Sequence, residues 1–226
     1  MMRTSEQITY DRLKDLILEN KLPRGEFLSQ RKLAASVGAT TMTQCSSLRL
    51  VENDGVGENV PKWGVRIPVE TEEAIRDRYF LRELLEVGAV ERLLCLNPPN
   101  ARDILLRQAE LCDTVEMADT NSFKDFAEKH TNFHLTIAEL SGSKLLVREL
   151  ARINFRSMML INAKYGWELQ NENLMGSLHR DFVQHLFAVD PDDALDAVRR
   201  HIRRGCDKEL ATLETMLNRV DQQATA

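Results

Sequence analysis

The stretch Phe126 to Leu140, FAEKHTNFHLTIAEL, carries two histidines four residues apart in a strongly helical segment. The helical repeat puts His130 and His134 on one face, one turn above the other. Phe126, Phe133, Ile137 and Leu140 supply apolar neighbours along the same helix, so part of that surface is buried. Two readings compete. A histidine pair at i and i+4 on a buried face is a bidentate metal site. Alternatively, both rings are core residues satisfied by hydrogen bonds.

The neighbouring sequence is helical on both sides. Thr71 to Leu96 has a Thr N-cap, two glutamates in its first turn and long apolar periodicity. Asn97-Pro98-Pro99 breaks it. Further helices are predicted over Ala101 to Ala118, Ser122 to Leu140, Lys144 to Tyr165, Glu172 to Ala188, and Pro191 to Val220, with Asp221 to Ala226 as a frayed tail. No strand pattern follows residue 68. This part reads as an all-α bundle of about six helices. All five histidines lie in it: His130, His134, His179, His185 and His201. His179 sits among Leu178, Phe182, Val183 and Leu186, and His201 among Ala194, Ala197, Val198 and Ile202. His185 lies about 240° round the helix from His179 and is expected to point elsewhere.

Residues 1–68 read differently. Ser5 is the expected N-cap of a helix to Asn20, with Ile8, Leu13, Leu16 and Ile17 near helical spacing. Leu22 to Leu28 reads as a turn around Pro23 and Gly25. Ser29 precedes a short helix closed by Gly38, and a third helix is predicted over Thr41 to Asn53, with Leu48 and Val51 inward. Val56 to Pro68 reads as a hairpin around Pro61-Lys62-Trp63-Gly64. Three short helices and a hairpin form a winged helix-turn-helix, a module that places a helix in the DNA major groove. A protein-interaction domain of similar shape is the alternative.

Composition narrows the classes. The 226 residues, 43% hydrophobic and 29% charged, suit one or two domains. No run reaches the ~18 apolar residues of a membrane helix. Residues 1–15 lack a signal-peptide core, so a cytoplasmic location is expected. Cys45, Cys95, Cys112 and Cys206 form no CxxC pair, which suggests reduced thiols rather than a zinc ribbon or a disulfide framework. Residues 1–68 hold ten Lys+Arg against eight Asp+Glu, a net of +2; with −5 overall, the remainder carries −7. A slightly basic head on an acidic body suits a DNA-binding module joined to another domain.

Residues 8–68 resemble the DNA-binding head of the GntR family of bacterial transcription regulators. The resemblance rests on Ile8-Thr9-Tyr10 through Leu16-Ile17, Leu22 to Leu28, Arg31-Lys32-Leu33-Ala34, Val37-Gly38, Leu48, Glu52, Asp54-Gly55 and Pro61 to Val65. It implies DNA contacts from Arg31, Thr40, Thr41, Thr43, Gln44, Ser46 and Lys62. The recognition helix departs from the family pattern: Thr41 and Cys45 stand where arginines are usual. Arginine is the commonest reader of guanine, so an operator unlike the usual one is expected.

Residues 71–215 resemble the FCD ligand-binding domain of the FadR branch of that family. Its usual motif is Asp-x-x-Phe-His, followed by histidines on the last two helices. This chain has His130-Thr131-Asn132-Phe133-His134, then His179, Asp190 eleven residues on, and His201 eleven beyond that. His130 replaces the usual Asp. The resemblance implies that His130, His134, His179 and His201 hold a divalent metal, zinc or alternatively nickel. It also implies a small carboxylate metabolite at Arg82, whose competing role is an ion pair with Glu86 at i+4.

The expected fold is mainly α: a winged helix-turn-helix over 1–68 and an all-helical metal- and effector-binding domain over 69–226. The expected function is ligand-responsive transcription regulation on operator DNA, as a homodimer away from membranes, and not catalysis. A histidine-site metalloenzyme, a regulator sensing the metal itself, and a relative without specific DNA binding are the alternatives.

Overall fold

The structure, a computed structural model, describes residues 4–19, 21–38, 50–60, 63–116, 119–160, 178–188 and 190–224. The chain divides into two compact units, Met1–Glu70 with Phe155–Asn162, and Thr71–Asn154 with Ala163–Ala226.

In the first unit, helix α1 (Ser5–Leu18) starts at Thr4, whose side chain accepts from the Gln7 amide. The cap is thus one residue earlier than expected. Tyr10, Leu13 and Ile17 form the buried stripe, while the expected Ile8 is exposed. Tyr10 takes its place because an aromatic ring fills the core and its hydroxyl finds a partner: it donates to Asp54. Helix α2 (Gln30–Val37) has the predicted ends. Ser29 accepts from the Lys32 amide, and Gly38 turns left-handed at φ 62°. Arg12 of α1 donates to the Val37 carbonyl at 2.8 Å, satisfying a group left open at that helix end. Residues 50–53 are helical, with Val51 buried; the rest of the predicted third helix lies outside the described residues.

The hairpin is present as β2 (Glu58–Val60) and β3 (Gly64–Arg66). A third strand, β1 (Phe27–Leu28), lies within the stretch expected to be only a turn. It pairs antiparallel with β3, Phe27 opposite Arg66 and Leu28 opposite Val65, giving the order β1-β3-β2. Two residues are too short for a periodicity signal, and the pairing is supplied by the wing. Gly64 fits this crossing because it has no side chain: its φ is +104°, and a Cβ there would lie 2.2 Å from the Leu28 carbonyl oxygen.

The second unit is helical throughout its described residues. Helix α3 (Glu72–Leu96) begins at Thr71, which accepts from the Ala74 amide, and ends at Asn97 in the left-handed region. Helix α4 (Ala101–Asp113) stops five residues short of expectation. The β-branched Thr114 and Val115 weaken continuation, and the Thr114 hydroxyl bonds back to the Glu110 carbonyl. Helix α5 (Thr120–Leu140) starts with a reciprocal capping box between Asp119 and Ser122. Then come α6 (Lys144–Leu160), of which residues 144–154 belong to this unit, α7 (Leu178–Leu186) and α8 (Pro191–Ala224). Helix α8 takes in residues 221–224, which were expected to fray. The starts of the predicted fifth helix and the end of the fourth lie outside the described residues.

Helix α3 packs along α8 and against α5; α4 packs on α5 and α7, and α7 on α8. Phe133, Ile137, Leu105, Leu150, Val183 and Val198 are all but fully buried between them. Each such side chain contributes about 1.5–3 kcal/mol by leaving water. The buried face of α3 also carries charge. Arg78, Arg82 and Glu86 stand at successive turns and are all buried. Arg78 bonds Glu209 of α8. Cys112 and Cys206 are buried thiols and Cys95 is an exposed one.

Candidate metal centre

Helices α5, α7 and α8 bring the imidazoles of His130, His134, His179 and His201 together. Ring centroids lie 4.6 Å apart for His130–His134, 5.1 Å for His130–His179, 5.2 Å for His134–His201 and 5.3 Å for His179–His201. The Nε2 of His134 is 3.2 Å from His130 Nε2 and 3.3 Å from His201 Nε2. One imidazole nitrogen from each of His130, His134 and His201 falls within a 4.8 Å span, a group able to hold a metal ion. His179 adds a buried Nε2 that has no hydrogen-bond partner among the described residues.

This donor set fits a cation. Nitrogens about 2.0–2.1 Å from a zinc ion in a tetrahedron stand about 3.3 Å from each other, the spacing found around His134 Nε2. Hydrogen bonding alone would leave the group poorly satisfied, because one Nε2 lone pair accepts well from only one of two neighbours. An unpartnered buried ring nitrogen is likewise costly unless something binds it.

The electrostatics favour uncharged rings. Burial, then the neighbouring imidazoles, hold His130 and His201 well below the usual histidine range. Burial lowers His134 to about 4, against the opposing pull of Glu86. Neutral imidazoles keep the lone pair a metal needs.

Two carboxylates border the rings, neither of which was picked out as part of a site from sequence. Glu86 Oε2 lies 2.5 Å from His134 Nδ1, and its Oε1 lies 2.6 Å from Arg82 Nε. Burial alone would raise the Glu86 carboxyl, but His134 and Arg82 outweigh it and bring it to about 2. Asp113 Oδ1 lies 2.7 Å from His179 Nδ1. Glu86 was legible only as the i+4 partner of Arg82. Asp113 gave no signal, because a helix running on to Ala118 would have placed it mid-helix.

Arg82 therefore has its ion pair with Glu86, buried rather than on the surface. His185 points away, as expected, and bonds the Asp181 carbonyl. Asp190 is exposed at the start of α8 and accepts from the Asp192 amide. In the other unit, Arg31 is exposed in the first turn of α2. Thr40, Thr41, Thr43, Gln44, Ser46 and Lys62 lie outside the described residues.

Comparison with known proteins gives a consistent picture. The FCD domain family matches residues 77–204, a span that holds all four clustered histidines, Arg82, Glu86 and Asp113. The chain is 31% identical over 144 residues to an uncharacterised HTH-type transcriptional regulator from an unstable DNA locus of Streptomyces ambofaciens. That match covers 62% of this chain and 58% of the relative's length. It is 23% identical over 207 residues to YdhC, an uncharacterised HTH-type transcriptional regulator of Bacillus subtilis, covering 91% of each. The crystal structure of a GntR family transcriptional regulator from Pseudomonas syringae shares the fold at a TM-score of 0.54. It is 20% identical and covers 96% of this chain and 89% of that one. These relatives and structural neighbours are transcriptional regulators, not enzymes.

Proposed function

The chain belongs to the FCD domain family, in the architecture of the GntR regulators, and from that premise we propose that it is a ligand-responsive transcription regulator. Its N-terminal unit binds operator DNA; its helical unit binds a divalent metal and a small organic acid. The observation that carries this reading is the convergence of four imidazoles from three helices inside the FCD match. No helix of the described residues is long and apolar enough to cross a membrane, in keeping with a cytoplasmic regulator.

His130, His134, His179 and His201 would hold the metal. Zinc and nickel both suit imidazole donors. When bound, the metal supplies a positive centre for a carboxylate. The chain's own part is to keep the His130, His134 and His201 rings neutral, to exclude water with Phe126, Phe133 and Phe182, and to present Arg82 beside the rings. An effector acts only through unequal affinity for two arrangements of the protein. A homodimer suits palindromic operators. Phe80 and Leu84, exposed one turn apart on α3, are the apolar residues on which we place its contact.

The test is fluorescence anisotropy of the full chain on the duplex upstream of its own coding sequence, beside a scrambled duplex at matched salt. The reading expects sequence preference, metal in the purified protein, and loss of that metal in His134→Ala. The absence of any sequence preference in a selection from random duplexes sinks the DNA half. Unchanged metal in His134→Ala removes the ligand set.

A second reading has its own support. The Arg82 guanidinium is already engaged by Glu86, which favours the metal itself as the signal. Under that reading a chelator alone changes operator affinity, and no organic acid does.

A further inference from the structure

We propose that Glu86 and Asp113 are positioning residues for the metal: they fix His134 and His179 as the tautomers whose Nε2 carries the lone pair. This rests on the metal-binding reading above.

A neutral imidazole carries its proton on one nitrogen only, and the hydrogen bond made by the other ring atom selects which. At His134 the choice is made by Glu86. Its Oε2 meets Nδ1 at 2.5 Å, and its Oε1 accepts from Arg82 Nε at 2.6 Å. An ionised carboxylate can only accept, and its other oxygen already accepts from Arg82, so the hydrogen of this contact sits on Nδ1. The Nε2 lone pair is then left toward His130 and His201.

Asp113 does the same at His179. Its Oδ1 meets the ring Nδ1 at 2.7 Å and the His179 amide at 3.1 Å. Its Oδ2 accepts from the Arg180 amide at 3.1 Å and from Arg180 Nε at 3.3 Å. Its other partners, two backbone amides and a guanidinium, are all donors, and an ionised carboxylate can only accept, so the ring contact takes its hydrogen from Nδ1. His179 Nε2 therefore has the lone pair, and it is the buried nitrogen that has no partner among the described residues.

Neither carboxylate is free to turn away, because the second oxygen of each is engaged. Each also reaches across helices: Glu86 from α3 to a ligand on α5, Asp113 from α4 to a ligand on α7. His130 and His201 are held differently. Among the described residues no carboxylate meets their rings; they stack on Phe126 at 5.4 Å and on Phe182 at 4.5 Å between centroids. The cluster thus has two ligands oriented by hydrogen bonds and two by ring contacts. Outer carboxylates of this kind typically change metal affinity roughly 10- to 100-fold.

The experiment uses the full chain, zinc as the probe and a chromogenic chelator as competitor. Glu86→Gln and Asp113→Asn are each expected to weaken zinc binding roughly 10- to 100-fold. The visible spectrum of the cobalt-loaded variants should keep the wild-type shape, because the ligands themselves are retained. His134→Ala should change that shape. Long-range nitrogen–proton correlation on the metal-free wild type should show His134 and His179 protonated at Nδ1. That last measurement decides the matter if a variant fails to fold. Zinc affinities within twofold of wild type, or Nε2-protonated rings at His134 and His179, overturn the proposal. A wild-type chain that binds neither zinc nor cobalt overturns instead the reading beneath it.

Discussion

The imidazole of His201 lies nearly flat against the ring of Phe182, with centroids 4.5 Å apart and planes 12° apart. The two residues come from adjacent helices, α8 and α7, so this contact both packs the core and orients a member of the histidine cluster. Phe182→Leu keeps an apolar side chain but removes the flat face. The expected result is a loss of about 1–3 kcal/mol in unfolding free energy, from lost volume and stacking, together with weaker zinc binding. Denaturant melts and chelator competition check this; two unchanged values would show that the stack is incidental.

Acid should destabilise the metal-free protein. His134 is lowered from 6.5 to about 4 by burial, and His130 and His201 shift the same way. Above the unfolded value both states are neutral and these rings contribute nothing. As pH falls below 6.5, the unfolded chain takes up protons that the folded chain refuses, so stability falls and continues to fall toward pH 4. Glu86 adds to the loss at still lower pH, since its folded value is depressed to about 2. Urea melts across this range in chelator should show the midpoint dropping with acid. A flat profile from pH 7 to 4.5 would falsify the buried, neutral state of the rings.

Gly64→Ala should damage the first unit specifically. The added Cβ meets the Leu28 carbonyl, and the φ of +104° is strained for any other residue. A loss of roughly 1–3 kcal/mol is expected from such backbone strain, with the zinc affinity of the other unit unaltered. Hydrogen exchange at the Leu28 and Val65 amides would locate the opening. Equal protection in variant and wild type would mean that the crossing relaxes at little cost.

Arg31 is exposed in the first turn of α2, and the proposed function makes it a DNA contact. Arg31→Ala should weaken duplex binding for operator and scrambled DNA alike if it holds a phosphate, and flatten the salt dependence by about one charge. A change confined to one base position would instead make it a base reader.

Legibility of the sequence followed periodicity. Helices with an apolar stripe, and histidines sharing a face across a turn, could be read because spacing repeats. The pairing of His130 with His134 belonged to that kind; His179 and His201 joined the set only through the family resemblance. What could not be read depended on contacts between elements far apart in the chain. Strand β1 has two residues and exists because β3 pairs with it. Tyr10 rather than Ile8 turns inward because Asp54, more than forty residues on, accepts its hydroxyl proton. Asp113 became available because α4 stops early at two β-branched residues. Glu86 was visible as a partner of Arg82, yet nothing in the local pattern said that its other oxygen would face His134.

The charged stripe of α3 limits how this helix can move. Arg78, Arg82 and Glu86 sit one turn apart, each with a partner already assigned: Glu209 on α8, Glu86 on the same helix, and His134 on α5. A slide of one turn, about 5.4 Å, would bring Arg78 to where Arg82 stands and carry a cation against His134. It would also strand desolvated charge, at several kcal/mol per ion. Ratcheting along the axis is therefore closed to α3. The movement that keeps these pairs together is a tilt of α3 with its partners, as a rod whose register is fixed.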